Sequence, residues 1–164
     1  MTLQQYCNSL PKSKQFKLAI TLINHVLPVW SNFAADNTLS YRDSIVGLIH
    51  TVPPTLLEDT VKEVREYFSR APLSKVFTDQ TKLFKLYSYF DDPITALQDM
   101  DWELPEAVVK TFYAVYNLLG SIVENELTAF NDPRIYVSIN QAIDAIETAG
   151  LLTEIQVREI LGNN

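Results

Sequence analysis

Asp43, Gly47 and His50 are the residues whose types and spacing most invite chemistry. On a helix they stand at i, i+4 and i+7, a single stripe along which a carboxylate can orient an imidazole. A glycine in mid-helix costs about 1 kcal/mol relative to alanine, which implies that something packs closely there. Two readings follow. In one, Asp43 orients His50 in a small polar pocket; in the other, Gly47 marks a helix crossing, with Asp43 and His50 at the solvent margin.

A second group is acidic. Asp91, Asp92, Asp99, Asp101, Glu103 and Glu106 fall within one stretch that has no basic residue, and Trp102 lies among them. Paired carboxylates can do acid–base work or hold a hard cation, but a calcium loop also needs a central glycine, and none is present. Asp92 and Glu106 are explained by helix starts, where negative charge is favoured. Asp91, Asp92, Asp99, Asp101, Trp102 and Glu103 are therefore read as a candidate partner surface with the indole as anchor. The bland counterpart is a capped loop whose Trp102 packs down onto the core.

Tyr113, Tyr116 and Asn117 place polar atoms inside a strongly apolar stretch, and buried hydroxyls need partners. A pocket near His50, Tyr113 and Tyr116 is thus the alternative site, and with it a ligand-binding or enzymatic bundle. Neighbouring helices could equally satisfy those groups. The aromatics Phe77, Phe84, Tyr87 and Phe90 read as core.

The familiar catalytic and metal signatures are missing. The residues three before His25 and His50 are Leu22 and Gly47, so there is no Glu-x-x-His pair for a carboxylate-bridged metal centre. One cysteine, Cys7, and two histidines cannot by themselves close a structural zinc site. The zinc-protease, nucleophile-elbow, P-loop and dinucleotide-binding patterns are all absent. No catalytic, cofactor-binding or metal residue is assigned, and the balance leans away from an enzyme.

The elements that must position these residues read as helices. Phe16, Ala19, Ile20, Ile23 and Leu27 form one face of a helix from about Ser13 to Val26, which Pro28 ends or kinks. A second helix is expected over Ser40–Thr51, with Tyr41, Ile45, Leu48, Ile49 and Val52 inward, closed by Pro53-Pro54. A third, Pro54–Ser69, carries Leu57, Val61, Val64 and Phe68. Thr81–Phe90 alternates partly like a strand, but with no strand to pair with it is read as helix. Asp92-Pro93 and Asp132-Pro133 look like helix starts, the latter helix running to Ala149 before Gly150. Thr153 and Gln156 fit a capping box for a last helix. The longest helix, 105–130, is apolar around most of its circumference and belongs at the centre.

The fold class expected is therefore all-α: one domain over residues 1–164, a bundle of about seven or eight helices around the helix 105–130. Length fits one domain, and a hydrophobic content of 47% rules out a disordered tail. Net charge is −7, and it is uneven. Residues 1–90 hold 10 basic and 7 acidic side chains, residues 91–164 only 3 basic against 13 acidic. That half is a poor nucleic-acid surface and a good one for a basic protein. No signal-peptide pattern opens the chain and no uninterrupted apolar run is long enough to span a bilayer, so a cytoplasmic location without membrane contact is expected.

Phe16-Lys17-Leu18-Ala19, followed by Leu27-Pro28-Val29-Trp30-Ser31-Asn32-Phe33, resembles the opening of a family of uncharacterised bacterial all-helical domains. Some members of that family are thought to be immunity proteins. The resemblance implies a helical fold and a toxin as partner, and carries over no catalytic residue. The leading expectation is a non-catalytic protein-binding module, immunity-like, with a basic protein partner; a homodimer is a further form of association.

Overall fold

The computed structural model describes residues 2–70, 80–99, 103–124 and 127–162. Among them are eight helices and one small hairpin, so the fold is an all-α multi-helix bundle. Helix α6, Glu106–Val123, packs against α2 (Lys12–Asp36), α3 (Leu56–Arg70), α4 (Thr81–Ser88) and α7 (Arg134–Thr148). Its central place follows from its composition: Val108, Phe112, Val115, Leu118 and Leu119 are buried on several sides of the helix. It is shorter than the expected 105–130. Beyond Val123 the backbone leaves the helix at Glu124, and Phe130 is exposed in a turn where Asn131 takes a positive φ of 64°.

Helix α2 does not stop at Pro28 but runs through it for 25 residues. An interior proline costs about 3 kcal/mol, and tertiary burial outweighs it here. Leu22, Ile23 and Val26 before it and Trp30 after it are all buried. Trp30 packs against Phe112, ring centroids 5.6 Å apart and planes tilted by 60°, and donates from Nε1 to the Pro54 carbonyl at 2.8 Å. By length and composition α2 could cross a membrane; here it carries Leu18, Ala19 and Leu22 in the core, against α6 and α7.

Helix ends follow local chemistry closely. Thr2 and Gln5 form a capping box on α1 (Leu3–Ser9), a helix the apolar periodicity does not reveal. Thr153 and Gln156 cap α8 (Glu154–Gly162) in the same way, as expected. After α7, Gly150 takes φ 63° and Leu151 N donates to Ile146 O at 3.0 Å, closing a Schellman motif. The two Asp-Pro starts are each displaced. Helix α5 (Asp91–Gln98) is capped by Phe90 with Pro93 buried in its first turn, and α7 begins after Pro133 rather than at Asp132. The segment from Thr81 is helical because Leu83 and Tyr87 are buried together on one face; Phe84, expected in the core, is exposed.

The largest departure is at residues 40–51. The expected helix is a β-hairpin, β1 (Ser40–Arg42) antiparallel to β2 (Ile49–Thr51), with Tyr41 opposite His50. Leu39 and Val52 are buried at its base, whereas Ile45, Leu48 and Ile49, expected inward, face solvent.

Candidate functional site

The hairpin brings Asp43 and His50 together by a route other than helical spacing. Asp43 N donates to Leu48 O at 2.9 Å and closes the loop, so the two residues lie near each other across the ladder. The Asp43 carboxylate accepts backbone N–H bonds from Val46 (2.6 Å), Ile45 (3.1 Å) and Gly47 (3.3 Å). Its other oxygen lies 2.9 Å from His50 Nε2, and because a carboxylate can only accept, that nitrogen carries the donated proton. The N–H bonds, that of Val46 foremost, together with His50 outweigh partial desolvation and hold the Asp43 carboxyl at about 2.

Gly47 completes the turn. Its φ of 71° lies in the left-handed region, which L side chains avoid, and its carbonyl accepts from Arg42 Nη1 at 2.6 Å. Tyr41 and His50 lie with ring centroids 5.7 Å apart on the face that leads to the core. Of the predicted stripe, then, all three residues do belong to one local arrangement. Their work is to pin a loop: the carboxylate is occupied by three amides and an imidazole.

What the pinned loop displays is apolar. Ile45, Val46, Leu48 and Ile49 are 92%, 67%, 61% and 68% exposed. Four large exposed aliphatic side chains within five residues are a local concentration of apolar surface of the kind that contact sites use.

The expected partner surface divides. Asp91 and Asp92 stand in the first turn of α5, which packs against β1, and Asp99 and Glu103 are exposed further along. Asp101 and Trp102 lie outside the described residues. Asp92 and the hairpin share a neighbourhood. Tyr41 is raised above its ordinary value by burial first, and then by the negative charge of Asp92 and Asp43. Asp91 is also raised, by burial and by Glu124 and Asp92.

The polar atoms of α6 form a separate network, in which Arg134 Nε is buried without a hydrogen-bond partner. Tyr87 and Tyr116 stack at 5.4 Å with their hydroxyls 3.1 Å apart, and Tyr87 donates to Glu124. Arg134 Nη2 donates to the same Glu124 oxygen at 2.5 Å, and the guanidinium lies 5.7 Å from the Tyr116 ring centre. Asn117 donates to Tyr113 O at 3.0 Å. Burial and the Glu124 carboxylate push the Tyr87 phenol far up. Gly120 admits this packing, since a Cβ there would meet Arg134 Nη1 at 2.9 Å. His50 bonds to Asp43 on the hairpin, while the Tyr116 hydroxyl pairs with Tyr87. Among the described residues, no three His, Cys, Asp or Glu side chains stand where they could hold a metal ion.

No family model, no curated protein and no solved structure matches this chain.

Proposed function

We propose that this protein is a non-catalytic protein-binding module whose contact element is the β1–β2 hairpin tip, with a basic protein as its partner. The observation that carries the reading is the tip itself. Four large aliphatic side chains are held out into solvent on a loop fixed by Asp43 rather than left to collapse onto the core. Full burial of one such side chain is worth about 1.5–3 kcal/mol. Several together can offset the association cost of 4–15 kcal/mol, and a loop already held by its own hydrogen bonds loses less entropy on docking.

The acidic residues beside it add direction. Asp91 and Asp92 at the start of α5 and the charge of −7 overall favour encounter with a positively charged protein and raise its association rate. Neutralisation of a basic toxin, the role that the resemblance of the opening segment implies, is one form of this activity.

The test compares the wild-type chain with Val46→Asp in affinity purification from native lysate at low salt. Both proteins are first checked for the same helical circular dichroism. Recovery of a basic protein by the wild type, reduced at least tenfold with Val46→Asp, supports the reading. Recovery that is equal with both, or of no protein, refutes it.

A further inference from the structure

Among the described residues, one edge of the hairpin is covered and the other is not. In an antiparallel pair the amides alternate between facing the partner strand and facing away. Val52 N donates to Leu39 O and Asp43 N to Leu48 O, each at 2.9 Å, so residues 48, 50 and 52 of the second arm bond inward. The N–H and C=O groups of Ile49 and Thr51 therefore point away from β1. Among the described residues, no backbone group outside the hairpin bonds to them. The outer side of β1 lies against α5, while β2 is exposed at all three of its residues. Exposed edges are commonly guarded by lysine, proline or a bulge, and Ile49-His50-Thr51 has neither of those residues.

We infer that the open edge of β2 takes up an extended peptide segment of the partner protein by strand addition, a segment that alternates apolar residues with Lys or Arg. This inference rests on the protein-binding reading and specifies how the contact is made. Two groups on Ile49 and two on Thr51 offer four backbone hydrogen bonds in the spacing a third strand needs. Ile49 on one face and Leu48 on the other, both exposed, offer apolar contact beside those groups. At the other end of β2, beside Thr51, opens a cavity of about 190 Å³ lined by Trp30, Ala34, Leu39 and Val52 among others. It has the size for one aliphatic side chain of the added segment.

Charge selects the occupant. Asp43 lies in the hairpin, and Asp92 at the neighbouring α5 is close enough to act on Tyr41 of β1. Strands lie about 4.8 Å apart, so the Asp43 carboxylate, 2.9 Å from His50 Nε2 of β2, sits within a Debye length (roughly 8–10 Å) of a strand added there, whereas Asp92, on the far side of β1, acts only at longer range. A second copy of the chain would bring the same carboxylates, and a net charge of −7, against each other. An anionic lipid surface is disfavoured for the same reason. A basic extended segment gains on each count.

A phage-displayed library of random 12-residue peptides, selected on the immobilised full chain, supplies the probe. Binding of the enriched peptides is then measured by fluorescence anisotropy to wild type, Thr51→Pro, Thr51→Val and Val46→Asp. Proline at 51 removes one outward N–H without touching the β1 ladder. The expected result is alternating apolar–basic peptides that bind Thr51→Pro at least tenfold more weakly and Thr51→Val within twofold of wild type. On the wild type itself, which needs no variant to fold, the Ile49 and Thr51 amides should gain hydrogen-exchange protection when peptide binds. Peptides that bind Thr51→Pro like wild type, that leave both amides unprotected, or that never enrich overturn strand addition. If Val46→Asp nonetheless loses binding, tip docking survives that failure; if neither variant loses it, the protein-binding reading falls too. Self-association seen by light scattering in wild type and abolished by Thr51→Pro would overturn the choice of partner in favour of a second copy.

Discussion

Replacing Gly47 with alanine sets two folded geometries against each other, because they require opposite signs. In the hairpin the residue has φ 71°, where an L side chain costs roughly 1–2 kcal/mol. Space is not at issue: an added Cβ would meet only Arg42 Nη1, at 3.8 Å, an ordinary contact, so the dihedral carries the whole effect. Were the segment helical, the same change would stabilise by about 0.8–1.0 kcal/mol. The hairpin is peripheral and can open before the core does, which caps what a urea melt of the whole protein can register. Native-state hydrogen exchange reads the loop directly. The Asp43 amide, bonded to Leu48 O, and the Gly47 amide, bonded to Asp43 O at 3.2 Å, should exchange about 5–30 times faster in Gly47→Ala. Gly47→Asn should recover part of the loss, since asparagine tolerates the left-handed region. Unchanged or slower exchange in the alanine variant would refute the turn and the argument built on it.

Acid should release the loop late. Because the Asp43 carboxyl is lowered in the folded state, its stabilisation is complete above the ordinary carboxylate range and is lost as pH falls through about 2. The Ile45, Val46 and Gly47 amide resonances should therefore titrate with a midpoint near 2, and a midpoint near 4 would contradict the bonds described. Gly120→Ala should destabilise by about 1 kcal/mol in urea melts, since overpacking against Arg134 and Tyr87 exceeds the gain in helix propensity. A gain in stability would show that the network around Glu124 is loose. Burial raises the Cys7 thiol to about 11, so at pH 8 iodoacetamide should label it only as fast as the protein unfolds. Rapid labelling of the native state would place Cys7 nearer solvent than its 1% exposure.

The parts of the fold that could be read from the residues are those where burial and periodicity coincide. Helices α3, α6 and α7 carry apolar side chains at steps of three and four, and those side chains are the core. Residues 40–51 mislead because Tyr41, Ile45, Leu48, Ile49 and Val52 also fit that spacing, though only Val52 is well buried. The competing signal is local: a turn bounded by Asp43, whose side chain bonds its own loop, and by Gly47 in the left-handed conformation. The α1 helix escaped for the reverse reason. Its Thr2–Gln5 capping box is the same pattern recognised at Thr153–Gln156, but only Cys7 in it is fully buried, too little to register as a face. Pro28 shows the limit of punctuation, because a helix break holds only where no tertiary burial compensates for it.

The same contrast separates the two polar groups that drew attention in the sequence. Tyr87, Tyr116, Asn117, Glu124 and Arg134 are tied together around α6, with Arg134 Nε left buried and unpaired, and a polar group already bonded within the bundle has to break that bond before it can meet a ligand. Asp43 is equally occupied, yet its bonds have the opposite consequence, since they hold four aliphatic side chains in water that a looser loop could withdraw. Exposure of that kind is unfavourable for the isolated chain and favourable only when something covers it. One substitution at each site, removing a charge at the first and adding one at the second, should therefore divide their effects. Arg134→Leu should lower stability, because it strands Glu124 and the Tyr87 hydroxyl. Val46→Asp should leave stability nearly unchanged while removing contact with the partner.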